Sequence, residues 1–218
     1  MKSKKSSWIA TSIVGVVMIA AILFVYKSTA PQKEPALPFY GPQQGKGEPH
    51  YVSEFSLLDQ DSNVVTMNKF RNKIYVADFF FTTCKGICPI MTEQMLTAYL
   101  AYQNNPDVLF LSHTVDPETD TPSRLKRYAQ NRDIEGEKWT FVTGDKQQIY
   151  DLARYSYLVD ASVGDGGPSD FVHTENFALV DRKGRIRGYY DGTDSTEMNQ
   201  MMKDIDLLLA EEHYKEKK

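Results

Sequence analysis

The chain has 218 residues, 41% hydrophobic and 25% charged, with a net charge of −4 at pH 7. This is enough apolar material for one globular core plus an appendage. Residues 1–27 carry four lysines and no acid, so the remainder stands at −8, a balance that speaks against a nucleic-acid partner.

In chain order, Lys2, Lys4 and Lys5 precede the uncharged run Trp8 to Tyr26. As a helix this run would extend about 28 Å at ~1.5 Å per residue, enough to cross a bilayer core. The basic flank predicts residues 1–7 as a cytoplasmic tail, 8–26 as a transmembrane anchor and an extracytoplasmic, periplasm-like location for the rest. A cleaved signal peptide is the alternative. Ser28-Thr29-Ala30 offers small residues for a peptidase, but Pro31 would follow the cut and the apolar run is long for that purpose. No cysteine stands near the run for a lipid anchor.

Residues 27–50 hold five prolines and three glycines and are expected to form a semi-extended tether. From 51 to 215 strand and helix patterns alternate. Ser53 to Leu58 and Val64 to Thr66 read as a hairpin, and Ile74 to Phe81 as a central buried strand. A helix is expected over Pro89 to Gln103, with Ile90, Met91, Met95, Leu96, Tyr99 and Leu100 as its apolar stripe. A buried strand over Val108 to Leu111 follows, then a helix from Thr121-Pro122 to about Asn131. Trp139 to Val142 reads as a strand and Gln147 to Tyr155 as a helix. Asn176 to Val180 and Arg185 to Tyr190 read as a hairpin, and Glu197 to about Glu212 as a terminal helix. This interleaving predicts an α/β fold, a mixed central sheet flanked by helices.

The only two cysteines, Cys84 and Cys88, fall at the turn between the central strand and the following helix. The unpaired N–H groups of a helix start favour thiolate, the form that binds soft metals and attacks disulfides. At i and i+4 of a helix the Cα atoms would lie ~6 Å apart, close enough for a disulfide. The two sulfurs would also share a face and could chelate one ion. The spacing does not choose between these, and a plain stabilising disulfide would close a loop too short to remove much chain entropy. A copper site would need a further ligand, usually imidazole. His50 lies in the tether and His213 in a charged tail, where both read as solvated surface. His113 follows a strand and reads as a capping or core residue. His173 follows the glycine-rich loop 164–167 and precedes a strand, so it is the candidate third ligand. Met91 and Met95 could offer thioethers, but their helical spacing is the pattern of a core.

Three segments in this order resemble the Sco/SenC copper chaperones. They are Phe80-Phe81-Thr82-Thr83-Cys84-Lys85-Gly86-Ile87-Cys88-Pro89, then Val115-Asp116-Pro117-Glu118-Thr119-Asp120-Thr121-Pro122, then His173 before Phe177-Ala178-Leu179-Val180-Asp181. The resemblance covers about residues 50–215. It implies a thioredoxin-like fold, a copper ion held by Cys84, Cys88 and His173, and delivery to cytochrome c oxidase subunit II. Another copper carrier would be the donor. This chain departs from the family in having Asp170-Phe171-Val172 before His173, where an aspartate usually precedes the histidine directly, and in having Lys85-Gly86 for a commoner Pro-Asp pair. Lys85 is expected to lower the thiol pKa values. Asp116 and Asp120 are candidates to support the ligands from behind, against simpler readings as a turn and a helix entrance. The expected role is a chaperone rather than a catalyst. The alternative is a thiol–disulfide oxidoreductase acting on the acceptor's cysteines, in which His173 would be dispensable.

Overall fold

The computed structural model describes residues 18–19, 37–43, 45, 47–134, 136–160, 171–172 and 174–215. The chain divides into residues 1–36 and a folded unit from Leu37 to Lys218. The predicted anchor, His173 and the glycine-rich loop before it therefore lie outside the described residues, apart from Met18 and Ile19. Among the described residues no helix is long and apolar enough to cross a membrane.

Among its described residues the folded unit contains seven strands: β1 Ser56–Asp59, β2 Val64–Thr66, β3 Ile74–Phe80, β4 Val108–Thr114, β5 Trp139–Thr143, β6 Asn176–Val180 and β7 Ile186–Asp191. Four α-helices accompany them: α1 Cys88–Tyr102, α2 Pro122–Gln130, α3 Lys146–Asp151 and α4 Ser195–Lys215. A π-helical turn, Leu152–Ser156, continues α3. The strands form one mixed sheet in the order β2-β1-β5-β4-β3-β6-β7. β3, β4 and β5 run parallel, whereas β1 joins β5, and β6 joins β3, in antiparallel fashion.

Every residue of β3, β4 and β5 is buried. Parallel strands covered on both faces require such continuous apolar runs, which is why no in–out alternation marks them in the sequence. The alternation reappears in the packing. Tyr75, Ala77 and Phe79 of β3 face one cluster, built with Ile149, Tyr150, Leu152 and Tyr157. Ile74, Val76 and Phe80 face the other, built with Met91, Met95 and Tyr99 of α1, Leu125 of α2 and Met201 and Ile205 of α4.

The predicted elements are present with shifted ends. β4 runs three residues further than expected, because His113 and Thr114 continue the parallel ladder with Phe79 and Phe80. The stripe of α1 is rotated: Met91, Thr92, Met95, Ala98, Tyr99 and Tyr102 are buried, whereas Ile90 and Leu100 are about half exposed.

The boundary between tether and domain also moves. Leu37 to Tyr40 and His50 make contacts within the folded unit instead of belonging to an extended tether. The Tyr40 amide donates to the Ile186 carbonyl at 3.0 Å, and the Tyr40 and Tyr189 rings meet edge-on. His50 is buried rather than solvated, its Nε2 lying 2.7 Å from the Ser156 carbonyl. The start of this segment is held by Arg187 on β7, almost fully buried. It donates to the carbonyls of Leu37 and Pro38 and to the carboxylates of Asp181 and Glu211, while the Phe39 ring covers its guanidinium.

Candidate metal centre

β3 lies between a parallel and an antiparallel neighbour, at the point where the sheet changes direction. Ligand sites in open α/β sheets gather outside the carboxyl ends of strands at such points. The turn leaving β3 carries the cysteines there. It closes with the Cys84 amide donating to the Phe81 carbonyl at 3.2 Å, and Cys88 is the first residue of α1. Cys84 thus lies in the turn before the helix and Cys88 at its first residue, at the strand-to-helix junction expected for both. Both cysteines are free thiols.

α1 has Pro89 in its first turn, no acidic residue there, and no side-chain cap at Ile87. Its first N–H groups are therefore open to an anion. Cys84 uses them. Partial burial pushes its thiol up, but hydrogen bonds from Cys88 and from the amides of Cys88, Gly86 and Ile87 outweigh that, and its pKa falls below the ordinary thiol value. Lys85, expected to lower both thiols, is not among these causes. Cys88 moves the other way. Burial, then its hydrogen bond to Cys84, pushes its thiol up to about 12. The two thiols are therefore unequal: Cys84 is partly accessible and acidified, whereas Cys88 is buried and protonated.

Asp78, an acid that the sequence reading passed over, sits inside β3 on the Cys88 side of the sheet. It accepts a hydrogen bond from Ser112 Oγ, which in turn accepts from Trp139 Nε1 at 2.8 Å. Burial pushes the Asp78 carboxyl up to about 7. The signal was present in the sequence, since an acid within an eight-residue apolar run needs a partner on the neighbouring strand.

Asp120 is fully buried and reaches the cysteine turn. Its carboxylate accepts from the Thr82 amide at 2.9 Å, from Thr114 Oγ1 at 2.6 Å and from the Thr82 hydroxyl. Asp116 forms the preceding turn, its carbonyl accepting from the amides of Thr119 and Asp120. Met91 and Met95 are fully buried in the α1 core. His113 lies on β4, also fully buried, stacked on Phe79 with ring centroids 4.6 Å apart. On His213 the described residues carry no side-chain information.

Among the described residues no three His, Cys, Asp or Glu side chains converge as a metal cluster. The described residues flanking His173 are nonetheless tied to the cysteine end of β3. The Phe171 ring packs edge-on against Phe81 at 5.1 Å between centroids, three residues before Cys84. Val172 and Thr174 are both buried, and Thr174 Oγ1 donates to the Val159 carbonyl at 2.9 Å.

Comparison with known proteins agrees with this geometry. The SCO1/SenC family model matches residues 43–210. A SCO1 protein homolog of Bacillus subtilis (strain 168) is 32% identical over 168 residues, spanning 76% of this chain and 86% of the relative. The solved structure of BsSco, described as a member of the Sco family of cytochrome c oxidase assembly proteins with a disulfide switch, superposes with a TM-score of 0.62. It shares 30% identity, covering 73% of this chain and 93% of its own. Copper-bound ScoI of Bradyrhizobium japonicum superposes with a TM-score of 0.55 at 25% identity, covering 72% of this chain and 99% of its own.

Proposed function

The chain belongs to the SCO1/SenC family, and from that premise we propose that it is a membrane-anchored, extracytoplasmic copper metallochaperone serving cytochrome c oxidase assembly. Copper is its cargo, bound through Cys84, Cys88 and His173 and passed to subunit II of the oxidase. One observation carries the ligand assignment: the Phe81–Phe171 contact ties the chain leading to His173 to the strand end from which the cysteines emerge. The donor chemistry fits. Two sulfurs and an imidazole suit copper, and the hydrogen bonds that lower the Cys84 pKa favour its thiolate, the form that binds metal. The copper-bound relative supports the cargo, and the disulfide switch of BsSco supports a redox-dependent site.

A second reading rests on the inequality of the thiols. An accessible, acidified Cys84 beside a buried, protonated Cys88 is the arrangement of an attacking and a resolving thiol. As an oxidoreductase the protein would reduce a partner disulfide and be left with its own.

The discriminating experiment is copper titration and model-disulfide reduction on the same His173→Ala variant. Copper binding is expected to weaken at least 10–100-fold, the effect typical of residues that only support a ligand. Disulfide exchange should persist, because it depends on thiolate character and access. Unchanged copper affinity with disulfide exchange intact would remove His173 from the copper site and favour the oxidoreductase. The oxidised protein should also lose tight Cu(I) binding, and equal affinity after oxidation would place copper elsewhere.

A further inference from the structure

Asp120 stands directly before α2, where an aspartate ordinarily caps the helix. It does not do so here. Thr121 is the residue at the cap position, and it makes no side-chain cap bond. The Asp120 carboxylate is instead used up by Thr82, through both its amide and its hydroxyl, and by Thr114 at the end of β4.

Thr82 is the hub of the arrangement. Its hydroxyl accepts from Arg124 Nε at 2.7 Å while donating to Asp120. Arg124 lies nearer to Thr82 than to Asp120, which it approaches at 3.5 Å. Its side chain is 40% exposed, so neutralising a buried cation cannot be the main role of the carboxylate. A residue held by its amide and its hydroxyl at once cannot rotate about its own backbone. Two residues later the chain presents Cys84, whose amide closes the turn onto Phe81.

We propose that Asp120 is a positioning residue for Cys84: through Thr82 it clasps the turn that presents the sulfur, and so sets copper affinity and the dithiol–disulfide balance without touching the metal. The inference rests on the reading of Cys84 as ligand or attacking thiol. It also assigns different work to the two acids of the Asp116–Asp120 motif, with Asp120 acting on the cysteine turn and Asp116 shaping its own loop.

The test compares Thr82→Val, Thr82→Ser and Asp120→Asn with the wild-type protein. Three quantities are read: Cu(I) affinity against a competing chelator, the Cys84–Cys88 equilibrium in a glutathione buffer, and the urea midpoint. Thr82→Val and Asp120→Asn are expected to weaken Cu(I) binding on the order of tenfold, the low end of effects from residues that support a ligand. They should also move the redox equilibrium by a similar factor, about 30 mV, because the clasp orients one of its two sulfurs. Thr82→Ser, which keeps the hydroxyl, should restore both. If Asp120→Asn does not fold, the Thr82 pair decides. A Thr82→Val protein with a lowered urea midpoint but wild-type copper affinity and redox balance would reduce the clasp to a structural contact and overturn the proposal. Were the wild type itself to bind no Cu(I), the chaperone reading would fall while the redox equilibrium still tested the clasp.

Discussion

Asp78 and His113 meet across β3 and β4, His113 Nδ1 lying 3.3 Å from the Asp78 carbonyl. Burial holds the Asp78 carboxyl at about 7 and, in the opposite sense, pushes the His113 imidazole down to about 4. The signs follow from proton counts. With its pKa raised on folding, Asp78 binds more protons folded than unfolded. Its contribution therefore falls as pH rises from about 4 to about 7, and the penalty is complete above that. With its pKa lowered, His113 binds fewer protons folded, so its contribution falls as pH drops from about 6.5 to about 4. The two slopes oppose one another over most of this window. Asp78→Asn removes one of them. The variant is expected to be more stable than wild type at pH 8, by a few kcal/mol at ~1.4 kcal/mol per pKa unit, and to keep only about a third of that advantage at pH 5. Urea unfolding at both pH values checks this; an offset independent of pH would mean that the carboxyl titrates normally.

At the scale of elements, the segment from Leu37 to His50 acts as an extra layer, fastened by Arg187. All five N–H donors of that guanidinium are used, two of them on the carbonyls of Leu37 and Pro38. A protein shortened to begin at Tyr51 leaves those two donors, and the carbonyl partner of His50, without their contacts. At ~1–3 kcal/mol for each buried group left unsatisfied, it should unfold several kcal/mol earlier than one beginning at Leu37. Equal urea midpoints would show that the layer is not part of the folding unit. Helix α1 gives a second test. Met95 is fully buried beneath the helix that starts at Cys88. Met95→Ala should cost about 2–5 kcal/mol by opening a cavity, and a loss of copper binding with no change in stability would mean that its thioether acts on the metal.

For the whole molecule, the uncharged run at 8–26 and the lysines before it predict a single anchor with the folded unit on the extracytoplasmic side. The intact protein should fractionate with membranes, and external protease should digest the domain in spheroplasts. Recovery of a soluble mature form beginning at Pro31 would overturn the anchor.

The order of elements, the buried central strands and the position of the cysteine turn were legible in the sequence, because each has a local cause. Apolar runs read as doubly covered strands, Pro89 and Pro122 open helices, and Asp181 to Gly184 make a tight turn between two strands. The family motifs were legible for the same reason, as short segments in fixed order. What the tertiary structure alone decided depends on which distant groups meet. Burial, not spacing, makes Cys84 and Cys88 unequal thiols. Ser112 on the adjacent strand makes a carboxyl tolerable inside β3. Arg187, more than a hundred residues along the chain, fastens the end of an expected tether to the fold, and the Ser156 carbonyl meets the buried His50. Asp120 looks like a helix cap beside Pro122, and only the approach of Thr82 from the end of β3 directs its carboxylate to the cysteine turn. Propensity and periodicity act over a few neighbouring residues, whereas desolvation and hydrogen-bond partners are set by contacts that form only once the chain has closed on itself.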